Sequence, residues 1–398
     1  MPELPAAVGE PIEGRVAFDG ARAFALPGVG LGRHTVDLYW DELWIGEDEA
    51  AEVIRREYAR LADARHEQAM AAIEGEAITA GGTTMRILER TFGDEPEGGH
   101  SLWISMHGGG GAPAEVNDQQ WRNQIRLYEL EEGIYVAPRA PSDTWNLWHQ
   151  GHIDPLFAAL IESYVVARGV NPDRVYLLGY SAGGDGVYQL GPRMADRFAA
   201  AAMMAGHPNE TTPEGLRNLP FAVLMGGEDN AYNRARVAAE FGEKLAALRE
   251  SDAEGYEHRT IIYPGLGHWM DRKDAEILPW MASFARQAWP RRVVWKQDDV
   301  THDRFYWLAV PEGTAKARAM ITAEVSGQTI TIESADVQSC TLLLHDDLLD
   351  LDQPISVIAN GTQVFSGTVR RTEQAIRDAL AARFDRRMAP SASLTVSW

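Results

Sequence analysis

The run Val175-Tyr176-Leu177-Leu178 leads directly into Gly179-Tyr180-Ser181-Ala182-Gly183-Gly184. A short aliphatic and β-branched run reads as a buried strand, and the stretch from Asp185 to Leu190 reads as the start of a helix. Joining strand to helix without a loop demands a sharp bend, in which opposing β-carbons would collide. Gly179 and Gly183 leave those carbons out and place Ser181 at the apex. A serine hydroxyl becomes a nucleophile only when it is exposed and a base takes its proton. The bend supplies the exposure, so a base is to be sought elsewhere. Gly-x-Ser-x-Gly also occurs in ordinary turns; the strand before it and the helix after it give it weight here.

Around this stretch the chain alternates. Strand-like runs at 101–106, 134–137, 175–180, 200–204, 221–225 and 260–263 are interleaved with helical patterns near 154–168, 185–197, 232–249 and 271–287. Apolar strands alternating with helices predict an α/β fold with a mostly parallel sheet covered on both faces. Ahead of it, 48–73 predicts a long helix with Asp48 as its N-cap, either a lid or a dimer arm. Two strands at 76–79 and 84–89 follow, joined at Gly81-Gly82. Beyond Trp295, strand-like runs recur, the first at 305–310, without helices between them except for one near 373–383. The expected organisation is an N-terminal extension over 1–75, an α/β catalytic domain over 76–292 and a β-sandwich-like domain over 293–398.

Composition narrows the function. A net charge of -21 disfavours nucleic acid and anionic membrane surfaces as partners. Cys340 is the single cysteine, so no internal disulfide is available. Met1–Gly14 has neither a basic start nor an apolar core, and no run of 18 apolar residues occurs, so the expected location is cytoplasmic. A homo-oligomer stays open.

The first apolar strand ends in His107-Gly108-Gly109-Gly110-Gly111. Acyl transfer passes through an oxyanion that preorganised N–H donors must meet, and a glycine run can turn its amides inward unobstructed. The expected donors are the N–H groups of Gly109, Gly110 and Ala182. Phe221–Gly226 is followed by Glu228 and Asp229, either of which can orient a histidine, with Asp229 preferred. His268, in a glycine-flanked loop after the last strand of the α/β region, completes Ser, Asp and His in chain order. Loops beside the strand ends offer Trp121, Trp145, Trp148, His149, His207 and Trp269 as substrate-binding residues. For the tryptophans, filling the domain interface is the competing role. His149 and His152 lack further ligands, and the acidic run Asp346, Asp347, Asp350 and Asp352 lacks the glycine and closing glutamate of a calcium loop. No metal and no cofactor is expected.

These motifs give the chain from about 80 to 290 a resemblance to the α/β-hydrolase superfamily, in its serine-esterase branch. It is similar to bacterial carboxylesterases of the feruloyl-esterase and polyhydroxybutyrate-depolymerase type. The resemblance implies Ser181 as nucleophile, His268 as base and then acid, and Asp229 as orienting acid. Those families are often secreted and disulfide-bonded, unlike this sequence, so their substrate does not carry over. The expected activity is hydrolysis of small or aryl carboxyl esters through an acyl-enzyme. Two alternatives are a serine peptidase of the same fold and a polymer-binding protein with an inert hydrolase core.

Overall fold

The computed structural model describes residues 44–398 and, before them, two short strands, β1 (Phe18–Asp19) and β2 (Arg22–Ala23), paired antiparallel with each other. The rest of 1–43, including Met1–Gly14, Tyr39 and Trp40, lies outside the described residues.

The chain from Trp44 onward enters α1 (Glu47–Glu74). Gly46, not Asp48, is its N-cap; Asp48 sits in the first turn with Glu47 and Glu49, where negative charge complements the exposed N–H groups. The buried stripe of α1 includes Val53, Ala69 and Ile73, and the helix packs along two others, α3 and α7, introduced below. Next come β3 (Ala77–Ala80), β4 (Thr83–Phe92), β5 (Leu102–Met106), α2 (Ala114–Gln124), β6 (Gly133–Arg139), α3 (Ile153–Arg168), β7 (Val175–Tyr180), α4 (Ala182–Arg193), β8 (Ala200–Met204), β9 (Phe221–Gly226), α5 (Arg234–Ser251), β10 (His258–Tyr263) and α6 (Leu278–Ala282).

The eight strands form one sheet in the order β10-β9-β8-β7-β5-β6-β4-β3. β3 and β4 pair antiparallel with each other, as do β4 and β6; every other pairing is parallel. β5, β7, β8 and β9 are buried at every residue, which is why they read as unbroken apolar runs without alternation. This is the mostly parallel α/β sheet that the sequence predicts. Its register places the working loops. Met106 pairs with Gly179, so the glycine run after β5 and the serine after β7 leave the sheet side by side. Gly226 pairs with Tyr263, so Asp229 and His268 also emerge together.

Three local expectations fail. The helix expected over 271–287 is a 3-10 turn, Lys273–Ile277, followed by the five-residue α6. Asp271 and Arg272 adopt left-handed backbone (φ 53° and 61°), which no helix tolerates, and Pro279 lacks the N–H to extend one. Beyond Ser283 the Phe284 carbonyl accepts the Tyr176 hydroxyl at 2.8 Å in place of a helical N–H. The stretch 117–121, expected in a loop, lies inside α2. The single strand expected at 305–310 is two, β12 (Arg304–Phe305) and β13 (Leu308–Ala309), because Tyr306 turns the chain with φ 50°.

β11 (Arg292–Lys296) opens the C-terminal sheets. After β12 and β13 come β14 (Met320–Ser326), β15 (Thr329–Glu333), β16 (Ser339–Leu344), β17 (Ile355–Ala359), β18 (Thr362–Gly367), α7 (Glu373–Ala382) and β19 (Ala392–Ser397). One sheet runs β11-β14-β15-β17-β18, with β15 and β17 parallel; the other, β12-β13-β16-β19, is antiparallel throughout. Burial alternates residue by residue along β14 to β17, so each strand offers one face to the interior. A single apolar cluster runs unbroken from Leu177 and Phe221 to Trp307, Ile332 and Leu342. Buried ion pairs cross the same seam: Arg286 binds Asp173 and Asp385, and Arg383 binds Asp196. Asp385 is held well below the usual carboxylate range by Arg286 against the opposing effect of burial. Among the described residues no helix is long and apolar enough to cross a membrane.

Candidate active site

Ser181 sits between β7 and α4 with φ 58° and ψ -122°, a conformation a serine adopts only under constraint. Its N–H donates to the Met204 carbonyl at 2.9 Å, tying the bend to the next strand. A β-carbon on Gly179 would stand 2.2 Å from the Gly183 carbonyl, and one on Gly183 would stand 2.1 Å from that of Met106. The two glycines of the motif are therefore steric requirements of the bend.

Ser181 Oγ lies 2.9 Å from His268 Nε2, and His268 Nδ1 lies 2.6 Å from Asp229 Oδ2. With Asp229 ionised, Nδ1 carries the hydrogen and Nε2 is free to accept the serine proton. Asp229 is buried, with Arg234 3.8 Å from its other oxygen, whereas the neighbouring Glu228 is exposed. The structure brings Asp229 to the histidine, and not Glu228. The histidine is held from behind. Tyr180 donates its hydroxyl hydrogen to the His268 carbonyl at 2.7 Å and accepts from the Met270 N–H at 3.0 Å. Tyr180 occupies a variable position of the serine motif, so the pattern alone does not reveal this role.

The glycine run lies against the serine. Gly108 would place a β-carbon 3.1 Å from that of Ser181. Gly109 and Gly110 adopt φ 116° and 112°, and a β-carbon on Gly109 would fall 2.0 Å from Asn117 Oδ1. Among the expected donors Gly110 drops out: its N–H already donates to Asn117 Oδ1 at 3.0 Å. Asn117 returns hydrogens from Nδ2 to the carbonyls of Gly110 and Ala112 and to Asp143. Ala182 opens α4, where a first-turn N–H has no partner within the helix and can face a ligand. His107 is buried; Nδ1 pairs with the Gly108 carbonyl at 2.6 Å, and Nε2 accepts the Ala140 N–H at 3.1 Å. Burial pulls His107 down to about 4, so it is neutral and buttresses the loop.

The aromatic candidates divide. Trp145 and Trp269 are 63% and 50% exposed, the first against Gly110 and Gly111, the second 5.7 Å from Tyr180. His149 stands edge-on to Trp145 at 5.4 Å and is itself nearly buried; burial lowers it to about 4. Trp148 and Trp121 are interior. Trp148 is fully buried beneath the loop and donates to the His107 carbonyl at 3.0 Å. Trp121 donates to the Ala137 carbonyl at 2.8 Å with Arg86 over its ring. His207 is half-buried, and its N–H donates to Asp185 at 2.6 Å; burial raises that carboxyl to about 6.

The acidic run in the C-terminal region is engaged by Arg371, which binds both oxygens of Asp346 and one of Asp352. Among the described residues one group, Glu210, Asp298 and Asp299, has carboxylate oxygens all within 4.8 Å of one another, spacing able to hold a cation. It shares no residue with the Ser181–His268–Asp229 set.

Residues 136–298 match the family model described as "Dienelactone hydrolase family". That span holds Ser181, Asp229 and His268 but begins after the glycine run. The chain is 30% identical over 167 residues to the putative esterase NocK of Nocardia uniformis subsp. tsuyamanensis, covering 39% of this chain and 47% of that protein. It thus spans about half the length of that curated relative. Similar solved structures include a thermostable esterase (18% identity, TM-score 0.39, covering 53% of this chain and 62% of that one). Another is LpqC, a poly(3-hydroxybutyrate) depolymerase from Bordetella parapertussis (18% identity, TM-score 0.36, covering 52% and 93%). The match covers β7 to β10, the part of the sheet that carries Ser181, Asp229 and His268.

Proposed function

We propose that the chain is a serine carboxyl-ester hydrolase working through an acyl-enzyme on small or aryl esters. The observation that carries this reading is the position of the His268 ring, bridging Ser181 Oγ at 2.9 Å and the buried Asp229 at 2.6 Å. In that arrangement Ser181 attacks the ester carbonyl while His268 Nε2 takes its proton. Asp229 stabilises the resulting imidazolium without taking a proton itself. The oxyanion is received by the N–H groups of Gly109 and Ala182, already oriented before the substrate arrives. His268 then protonates the departing alcohol, which leaves Ser181 acylated. Water enters, gives its proton to the same nitrogen, and releases the acid. Trp145 and Trp269, both exposed beside these groups, supply flat apolar walls suited to an acyl or aryl group.

The test is turnover of a p-nitrophenyl ester series and methyl ferulate, with a fluorophosphonate probe, by the parent and Ser181→Ala. The expected result is turnover and labelling in the parent and neither in the variant, with its circular dichroism unchanged. Ester turnover retained by Ser181→Ala removes the nucleophile. A matched anilide cleaved faster than its ester moves the reading to a peptidase.

A further inference from the structure

Away from Ser181, a cavity of about 430 Å³ opens where the catalytic core meets the C-terminal sheets. Its walls come from the N-terminus of α3 (Gly151, Asp154, Pro155), the turn after α4 (Asp196, Arg197), the segment 300–304 and the end of α7 (Arg383). Three arginines line it, Arg197, Arg304 and Arg383.

Their pairing is incomplete. Arg383 directs both terminal nitrogens to Asp196, while its Nε, fully buried, has no partner among the described residues. Arg304 donates only to backbone carbonyls, those of Met388 at 2.7 Å and Tyr306 at 3.4 Å. Neither Arg197 nor Arg304 forms an ion pair with a described residue, although side-chain ion pairs are frequent elsewhere in this chain. Burial, and then the charge of Arg383, depress Arg197 to about 9 and Arg304 to about 10. Asp196 in the wall offsets this only in part, and the wall carboxylates are engaged elsewhere. Asp154 is held by Arg193 at 2.5 Å and His302 at 2.6 Å, and Asp196 by Arg383 and the Tyr306 N–H. Asp303 turns one oxygen towards the Gly313 N–H at 3.5 Å. In a chain of net charge -21, the wall sets three arginines against three aspartates, and the engagement of Asp154 and Asp196 leaves Arg197 and Arg304 without an ion-pair partner among the described residues. The α3 N-terminus adds partial positive charge to the same wall.

From this juxtaposition we infer that the cavity at the seam is a binding site for a small, multiply charged oxyanion, held by Arg197 and Arg304 with Nε of Arg383. Guanidinium forks suit phosphate and carboxylate oxygens alike, and the volume admits inorganic phosphate or a di- or tricarboxylate. The site is separate from Ser181, so bound anion acts on the seam and not on the reacting atoms.

The experiment titrates inorganic phosphate, sulfate and citrate, each against sodium chloride at equal ionic strength. Calorimetry and thermal unfolding are read on the full chain and on Arg197→Gln. The expected result is saturable binding of at least one oxyanion and a rise in Tm beyond the chloride control. Arg197→Gln, which removes no hydrogen bond to a described residue, should weaken binding roughly tenfold or more. Its anion-free Tm and ester turnover should stay at or above the parent values. Preference for phosphate and sulfate over citrate assigns a phosphoryl group, and the reverse order a carboxylate. The inference fails if no oxyanion exceeds chloride, or if Arg197→Gln binds as the parent does. A fall in anion-free Tm would also overturn it, since Arg197 would then be paired already.

Discussion

Asn117 is the residue whose removal most directly tests how the oxyanion donors are held. It is fully buried, its Oδ1 accepts the Gly110 N–H at 3.0 Å, and its Nδ2 faces the Gly110 and Ala112 carbonyls and Asp143. Asn117→Ala deletes all of these and leaves the Gly110 N–H buried without a partner, a cost of about 1–3 kcal/mol on folding. With the turn released, the Gly109 amide proposed as an oxyanion donor is no longer fixed. Loss of one fixed oxyanion donor costs about 10²–10³ in kcat when complete, so a loosened one should cost roughly 10–100-fold. KM should move little, because the ester in its ground state makes small use of the donor. Asn117→Asp sharpens the test. It preserves shape and the acceptor for Gly110, but turns a donor into an acceptor facing two carbonyls and the Asp143 carboxylate. It should therefore be worse than alanine in both stability and kcat. Steady-state kinetics on p-nitrophenyl acetate, with urea denaturation of the same samples, reads both quantities. The reasoning is refuted if both variants fold and keep kcat within about threefold of the parent, or if aspartate outperforms alanine.

Two further outcomes follow from the same geometry. Asp229→Asn, which loses the charge facing His268 Nδ1, should lower kcat by about 10³–10⁴, while Glu228→Gln should stay within about threefold; the opposite ranking would reassign the acid. His107 titrates at about 4 in the folded protein, below the ordinary 6.5, so folding requires its neutral form. Its contribution is complete above pH 6.5 and is lost as pH falls from there towards 4. The total is about 3 kcal/mol at most, visible as a falling urea midpoint that His107→Asn partly flattens.

What was legible in the sequence was local. A strand running into Gly-x-Ser-x-Gly, a carboxylate just past Gly226 and a histidine just past Tyr263 each follow from a strand end, and parallel register aligns them. Facing was not legible. Trp121 and Trp148 have the residue type of pocket walls, yet their N–H groups are directed to interior carbonyls. Nor was the competition for the Gly110 amide, which depends on a side chain one turn into a helix that a polar stretch disguised. The helix expected at 271–287 is cut at both ends, by left-handed Asp271 and Arg272 at its start and by the Tyr176 hydroxyl on the Phe284 carbonyl near its end.

The buried pairs at the seam bear on how the molecule can be divided. Arg286 has its guanidinium shared between Asp173 and Asp385, one on each side, and is itself fully enclosed. Cutting the chain near Pro290 would leave Arg286 with half its counter-charge and expose the apolar surface that now meets Trp307. Once open to water Arg286 is rehydrated and keeps Asp173, so the larger penalty is the apolar surface laid bare, at about 25 cal/mol per Å². The α/β half is thus no detachable module. A chimera that exchanges the C-terminal sheets must bring with it an acid at the place of Asp385.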